Sequence, residues 1–546
     1  MVRALGIRMS LVTGALGLFA CTGEPEVVEA PLCPLEVTRE FTNVSVAQPE
    51  LPDTTGPCLV LDDLDGDGTL ELVTNTFLVA SESRLDLFRQ EGGEFKLVRS
   101  LLDGGGNPIA CTAADYDNDG RLDIYAIARE VHVPHLFHND GGLAFSEPAG
   151  ALPPLEVEDL AYFGHGFFDY DNDGFVDLMI GRYVGVPNLQ PAACVATKSD
   201  IYCPPLTEMA RAEPLMFHNL GGKRFELLAS GAFPAPWATM THTLSPVDWD
   251  GDGFLDVFLA NDFGPDQLYL NEAGSGAFVD RADELGFGGP NHGMGAAIGD
   301  FDLDGHRDLF VADLGPGRLF MGDGGGHVVN RALERGVAQA TRYTSSWAPI
   351  AADLDHDGDE DLLVVTSFVG TNDGDVMRTA AGGETLDVID QHDILLWNEG
   401  AKFTAAELPH RLKTHRSVMY GASAAGDIDG DGDLDLAAMS SHIAEFRLMR
   451  NDLSGGNWLA VELSSSPTQT ATGSRVTLFR EGAAIATREY HNSLGSVGVS
   501  QRALHFGLCD VEAIDALEVR WPTGAVERVE GPIATNQRLE LTAPNR

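Results

Sequence analysis

The chain reads as an all-β protein, a seven-bladed β-propeller with ion-binding loops followed by a small C-terminal β domain, on three observations. A nonapeptide of the form D-x-D-x-D-G-x-x-(D/E) comes round seven times. Its copies start 52, 54, 79, 52, 53 and 74 residues apart, a period of about fifty broken by two insertions. Between copies the same succession of short β-type segments and Gly/Asn/Asp turns returns, which is the content of one propeller blade.

The loop is the most informative element. Positions 1, 3, 5 and 9 carry Asp63, Asp65, Asp67 and Glu71 in the first copy, and Asp115, Asp117, Asp119 and Asp123 in the second. Asp169, Asp171, Asp173 and Asp177 follow in the third, and Asp248, Asp250, Asp252 and Asp256 in the fourth. The last three supply Asp300, Asp302, Asp304 and Asp308; Asp353, Asp355, Asp357 and Asp361; and Asp427, Asp429, Asp431 and Asp435. Carboxylates at positions 1, 3 and 5 of a tight loop point at one centre, position 7 offers a carbonyl, and the acid at position 9 is expected to close the cage. All-oxygen ligation of this kind suits Ca²⁺, up to seven ions in all. Glycine at position 6, for example Gly68 and Gly432, allows the positive φ that turns the loop back. A solvated acidic turn is the plain alternative for one copy, and seven copies in one register argue against it. The loop is shorter than an EF-hand and runs into a strand-like segment, not a helix.

Within each unit, a segment of small and apolar residues enters the loop, such as GMGAAIG before Asp300. An apolar run leaves it, as in VFLA from Val257 to Ala260, and an alternating strand then ends in a polar turn and an aromatic, as in LMFHNLGGKRF. The last unit supplies only three strands before Gly455, and an open edge would leave backbone groups unpaired. The segment Glu40 to Val46 is therefore expected to complete it and join the ends of the ring. The longer gaps mark excursions at about 186–213 and 370–392, either recognition loops or decoration. From Asn457 onward no acidic loop appears and alternation dominates, which reads as a separate antiparallel domain within the size range that folds alone.

A formal charge of −48, from 83 acidic and 35 basic residues, argues against nucleic acid as a partner. Arg3 and Arg8 precede an apolar run from Met9 to Ala20 too short to span a bilayer, and Leu18 to Cys21 ends it. That Leu-x-Ala-Cys ending resembles the bacterial lipobox, which implies a signal peptide over 1–20, a diacylated Cys21 and a tether over 21–35. The expected location is exported: outer membrane, cell surface or extracellular, with the membrane reached through the lipid alone. An exported chain keeps disulfides. Cys194 and Cys203 close a short loop and form the best candidate pair, while Cys33, Cys58 and Cys111 cannot be paired from sequence. Cys58 and Cys111 each sit just ahead of a loop, on what should be neighbouring blades.

These residues carry a family resemblance. The repeats over 36–454 resemble FG-GAP/VCBS repeats, whose calcium-loop blades also build integrin α-subunit propellers. The tail over 455–546 resembles the ASPIC/UnbV domain through Asn457-Trp458-Leu459, GSRVTLF from Gly473, HFGL from His505 and WPTG from Trp521. The combination is similar to the cartilage acidic protein-like family in a bacterial secreted form. The resemblance implies a fold and calcium binding without an established chemistry. Cys509 departs from it, since the family follows HFGL with Gly.

A search for catalytic motifs finds no nucleophile elbow, no H-E-x-x-H, no phosphate-cradling loop and no zinc-type cysteine spacing. His165, His242 and His292 fall on segments entering the third, fourth and fifth loops, where they either approach the ring axis as ligands or bases or pack within blades. Trp347 and Tyr420 either form an aromatic platform for a sugar or pack between blades. The expected function is a non-enzymatic adhesion or recognition module for a protein or polysaccharide. The alternatives are a lyase-like enzyme on a calcium propeller and a structural envelope protein.

Overall fold

Small residues in the segments entering the loops let strands crowd around a common axis. A Cβ on Gly295 would lie 2.6 Å from Pro349 of the next sheet, and one on Gly421 2.8 Å from Val365. The computed structural model describes residues 58–546 except 80–81, 93, 104–107, 129–132, 156–159, 162–163, 185–194, 197–200, 203–212, 230, 235–240, 263, 290–291, 367–391, 407, 409–420, 441–444, 454 and 492–497, together with residue 39 and Phe41–Val44.

The repeats form seven antiparallel sheets, one per loop. The strands entering the loops are Leu59–Asp62, Pro108–Ala114, His165–Phe168, Thr241–Val247, Gly295–Gly299, Ser346–Ala352 and Gly421–Gly426. Each pairs with the strand leaving its loop, then with a third and a fourth strand further out. The entering strands neighbour one another in chain order, and the last lies against the first, so the sheets close into a ring. Between sheets the packing is apolar: Leu59, Leu61, Leu72 and Phe88 of the first sheet interleave with Ala422, Ala437, Met439 and Leu448 of the seventh. Burying each large side chain is worth about 1.5–3 kcal/mol.

Closure comes from the N-terminal strand. Phe41–Val44 pairs antiparallel with Glu445–Asn451, Phe41 opposite Asn451 and Thr42 opposite Arg450, and supplies the outer strand of the seventh sheet. The entering strands of the first and second sheets are joined by a disulfide, Cys58–Cys111, with Cα atoms 5.0 Å apart. Cys21, Cys194, Cys203 and Tyr420 lie outside the described residues.

The tail builds two sheets around one core. Leu504–Cys509, Asn457–Ser464 and Gln537–Thr542 form the first; Ala483–Glu489, Arg475–Arg480, Ala513–Arg520 and Val526–Ala534 form the second. Val461 and Phe506 of one pack with Leu478, Leu517 and Val519 of the other, over a fully buried Trp521. Cys509, at φ 55°, holds the left-handed conformation that glycine takes without cost, so its departure from the family pattern leaves the turn in place. It too is disulfide-bonded.

The tail has its own core and is seated on the loop side of the ring. Gly498–Val499 adds to the first sheet in parallel with Leu59–Val60. Arg502 donates to Asp62 at 2.9 and 3.2 Å and to the Asp63 carbonyl at 2.8 Å. Gly507 N–H reaches Asp353 Oδ2 at 2.8 Å, and Thr470 N–H reaches the Gly174 carbonyl at 2.8 Å. Trp458 lies so close over Gly432 that a Cβ there would be 2.0 Å from the indole. Thus Trp458, His505 and Gly507 of the tail motifs are among the residues that meet the loops.

A second set of contacts runs from blade to blade. The third strand ends in Asn139, Asn219, Asn271, Asn398 or Asn451 in five sheets, each residue at most 4 % exposed. Each side-chain amide donates to the position-2 carbonyl of the preceding sheet's loop: Leu64, Tyr116, Tyr170, Phe301 and Leu354, at 2.7–2.8 Å. Each donates again to its own loop, as Asn219 does to Val176 at 2.9 Å. Asn219→Ala leaves the carbonyls of Tyr116 and Val176 buried without that donor, a cost of about 1–3 kcal/mol per group. Chemical denaturation in calcium should show a loss in that range, and an unchanged midpoint would contradict the strut.

Candidate metal centres

Each loop wraps its first aspartate with its own backbone. Asp63 accepts from Gly66 and Gly68 at 2.7 and 2.8 Å, Asp115 from Asp119 and Gly120 at 2.9 and 3.0 Å, and Asp169 from Asp173 and Gly174 at 3.0 and 2.8 Å. The position-6 glycines make the turn at positive φ, 89° at Gly68 and 99° at Gly432.

The ninth-position acid has a role that its spacing did not disclose. One oxygen accepts the position-2 N–H of its own loop, as Asp177 does from Tyr170 at 3.2 Å, and the other accepts the N–H at the end of the third strand, as Asp177 does from Asn219 at 2.7 Å. Asp123, Asp256, Asp308, Asp361 and Asp435 repeat the pattern. This carboxylate is therefore a buried strut between loop and sheet. The recurrence of Asn at the end of the third strand was the readable signal for it.

The acids at positions 1 and 3 come together with a third acid, that at position 9 in the first two loops and that at position 5 in the third. Oxygens of Asp63, Asp65 and Glu71 lie within 4.8 Å of one another, as do those of Asp115, Asp117 and Asp123, and those of Asp169, Asp171 and Asp173. Several of these oxygens are buried with no hydrogen-bond partner: Asp65 Oδ1, Asp117 Oδ1, Asp248 Oδ1, Asp300 Oδ1 and Asp353 Oδ1. Such oxygens carry a desolvation cost that a hard cation would relieve, so the donor set fits calcium in these loops. Burial first, and neighbouring carboxylates after it, push Asp115 up to about 7 and Asp256 up to about 8.

The loops are not equivalent, and the difference lies one residue before the end of the third strand. That register holds Arg89, His138, His218, Leu270, Met321, Trp397 and Arg450. Arg89 binds Asp65 and lies 2.7 Å from Asp67. His138 Nδ1 lies 3.1 Å from Asp123 and 3.5 Å from Asp117, and His218 Nδ1 lies 3.1 Å from Asp177 and 3.6 Å from Asp171. Hydrogen bonds to Asp123 and Asp177 push these histidines up to about 9. Arg450 is 3.7 Å from Asp429. The fourth, fifth and sixth loops have an apolar side chain at this register. Arg39 nevertheless reaches the sixth, 2.5 Å from Asp355, and Arg335 lies 3.8 Å from Asp302 of the fifth.

On the opposite side of the ring the three histidines divide. His165 is buried and packs against Tyr125, ring centroids 5.2 Å apart. His242 and His292 both approach Asp262, at 3.7 and 3.3 Å. Trp347 is not a sugar platform: it is 3 % exposed, meets His242 edge-on at 5.3 Å and donates to Ser345.

Comparison with known proteins places these features. The FG-GAP-like repeat model matches residues 63–126, 248–311 and 300–364, and the ASPIC and UnbV model matches 464–546. Cartilage acidic protein 1 of Mus musculus is 30 % identical over 298 residues, 53 % of this chain and 43 % of that protein. The Homo sapiens protein of the same name is 28 % identical over 298 residues, 53 % of this chain and 42 % of that one. The aligned region thus spans less than half of these relatives. A solved structure, Saccharomyces cerevisiae Sqt1, overlaps 75 % of this chain and 98 % of its own at 9 % identity and a TM-score of 0.43.

The raised acids fix the sign of a pH effect. In the folded, metal-free protein they hold protons that the unfolded chain has already released, so stability falls as pH rises from about 4 to 8. His138 and His218 act in the same sense, since a raised histidine contributes fully below about 6.5 and loses its contribution as pH climbs through the folded value. Thermal melting in chelator should decline across this window, and excess calcium should remove the decline. A metal-free melting temperature that climbs from pH 4 to 8 contradicts the assignment.

Proposed function

With the chain recognised as a protein of FG-GAP-like repeats and an ASPIC and UnbV domain, homologous to cartilage acidic protein 1, we propose that it is a calcium-stabilised, exported recognition module for a protein or polysaccharide. The observation that supports the calcium part is the set of buried, partnerless carboxylate oxygens facing shared centres in the loops. Five of the loops are also fastened to the following sheet by its asparagine amide, so an ion bound there braces the ring at its joints. Ligand binding to the folded state alone adds about 2.7 kcal/mol per site at a hundredfold excess over Kd.

The recognition part draws on the placement of the tail. With one side of the ring occupied by the tail, the opposite side and the rim remain for a partner. The surface is acidic, at a formal charge of −48, which favours a neutral or cationic ligand over nucleic acid. No helix among the described residues is long and apolar enough to cross a membrane. In this reading an acylated Cys21, outside the described residues, supplies attachment.

The functional test is a glycan array and a pull-down with the chain from residue 36 onward, in calcium and in chelator. Specific, calcium-dependent capture of a glycan or protein is the expected result; capture of none, with the folded protein verified, removes the recognition reading. Asp250→Ala should lower the calcium stoichiometry by one ion while the other loops keep theirs. Equilibrium dialysis with an unchanged stoichiometry would remove the fourth loop from the set. Cys21→Ser should move the protein from the membrane to the soluble fraction on cell fractionation, and continued membrane attachment excludes acylation there.

A further inference from the structure

Between the ring and the tail, at the loop ends of the entering strands, lies a cavity of about 150 Å³. Its floor is apolar: Ala297 of the fifth sheet, Ile350 and Ala352 of the sixth, and Ala425 of the seventh. Its roof is the end of the tail strand Ala483–Glu489 with the two residues after it, and Arg475 of the strand paired with that one. A void of this size takes a molecule of roughly six heavy atoms.

The roof carries polar groups that the protein itself does not satisfy. Glu489 is used on both oxygens, Oε1 by Arg307 and Oε2 by His491 Nε2 at 3.2 Å. That leaves Arg307 Nε and His491 Nδ1 buried with no partner, the His491 side chain being 2 % exposed. Arg475 stands beside this group, opposite Glu489 on one neighbouring strand and Arg520 on the other. Its Nη2 donates to the Gly305 carbonyl at 3.1 Å, and among the described residues it makes no ion pair. The other arginines of the lining are paired, Arg488 with Glu360 at 3.4 Å and Arg502 with Asp62 at 3.2 Å. Asp300 and Asp353 also reach the lining, but they are first-position acids, held by the N–H groups of Gly305 and Gly358 and, in the reading above, by calcium. The charge left over is that of Arg475.

Polar atoms buried in the wall of a roomy cavity are satisfied by what fills it. Here the wall specifies the guest. Arg475 and Arg307 Nε donate, and a carboxylate matches a guanidinium. His491 gives its Nε2 proton to Glu489, so its Nδ1 carries the lone pair and accepts from a hydroxyl. The alanine and isoleucine floor takes an apolar carbon. A second cavity, of about 170 Å³, shares Gly305, Arg307 and Arg475 with the first. It reaches exposed Asp250 of the fourth loop and exposed Asp323 of the fifth sheet, which gives the guest a way in.

We propose that the cavity binds one small hydroxycarboxylate of the size of lactate, its carboxylate on Arg475 and Arg307 and its hydroxyl on His491. The site is separate from the metal loops and from the face left for a macromolecular partner. It rests on the calcium reading only for the charge of Asp300 and Asp353.

The test uses the full-length protein in excess calcium, with bound calcium counted alongside. Radiolabelled lactate, both enantiomers together, is measured by equilibrium dialysis against unlabelled competitors. Saturable binding of one equivalent is expected. Propionate, which lacks the hydroxyl, and lactamide, which lacks the charge, should each compete more than tenfold more weakly. Arg475→Gln should weaken lactate binding more than tenfold, and the charge-retaining Arg475→Lys should recover part of the loss, with the calcium count unchanged in both. If neither variant folds, the propionate and lactamide comparisons on the unaltered protein decide. No saturable lactate, any of propionate, lactamide or sulfate competing as well as lactate, or binding indifferent to Arg475→Gln overturns the proposal. With the calcium count intact, such a failure leaves the loops untouched, and a low calcium count with lactate still bound counts against the loop reading alone.

Discussion

The architecture depends on a buried carboxylate that receives two backbone N–H groups from different places. In the third sheet, Asp177 holds the turn of its loop through Tyr170 and the end of the third strand through Asn219, whose amide then crosses to the loop of the second sheet. Loop, sheet and neighbouring sheet are fixed by one chain of polar contacts, all buried. Inside a low-dielectric interior such bonds are strong when complete and expensive when one member is missing. Apolar packing between the sheets supplies the bulk of the cohesion, but it is tolerant of sliding. The polar chain sets the angle at which one sheet follows another.

Where the chain lacks this device, something else stands in for it. The fifth sheet ends its third strand in Gly322 instead of asparagine, and Trp249 of the preceding loop makes its own link by donating from Nε1 to the Gly326 carbonyl at 2.8 Å. The first sheet ends in Gln90, and this is the sheet that accepts Gly498–Val499 from the tail and the disulfide from the second sheet. The places without the amide are those where the tail or an aromatic ring provides the fastening.

Much of this was legible in the residues. The seven acidic nonapeptides located every turn between the entering and leaving strands, and the fifty-residue period located the sheets, because a repeat that must bury the same faces against identical neighbours has to keep its spacing. The stretch Glu40 to Val46 resembled an outer strand and is one over Phe41–Val44. What the residues hid was how the tail meets the loops and how side chains of separate strands meet. The seating of Trp458 on Gly432 and of Gly507 on Asp353 could not be read from alternation in the tail, which looks the same whether a sheet faces water or another domain. The meeting of His242 with Asp262 required a bulge, and one extra residue in a strand has no signature in composition. For His165, which the sequence left open between the ring axis and the blade interior, the structure shows packing on Tyr125.

The pairing of Phe41–Val44 with Glu445–Asn451 has a mechanical consequence. Tension along the chain at Phe41 falls on this four-residue seam together with the contact of Arg39 with Asp355 of the sixth loop. The next joint along the chain is bolted covalently, between Cys58 and Cys111. Load would unzip the outermost ribbon of the last blade and stop there, leaving most of the annulus intact and free to re-zip when the strain is released.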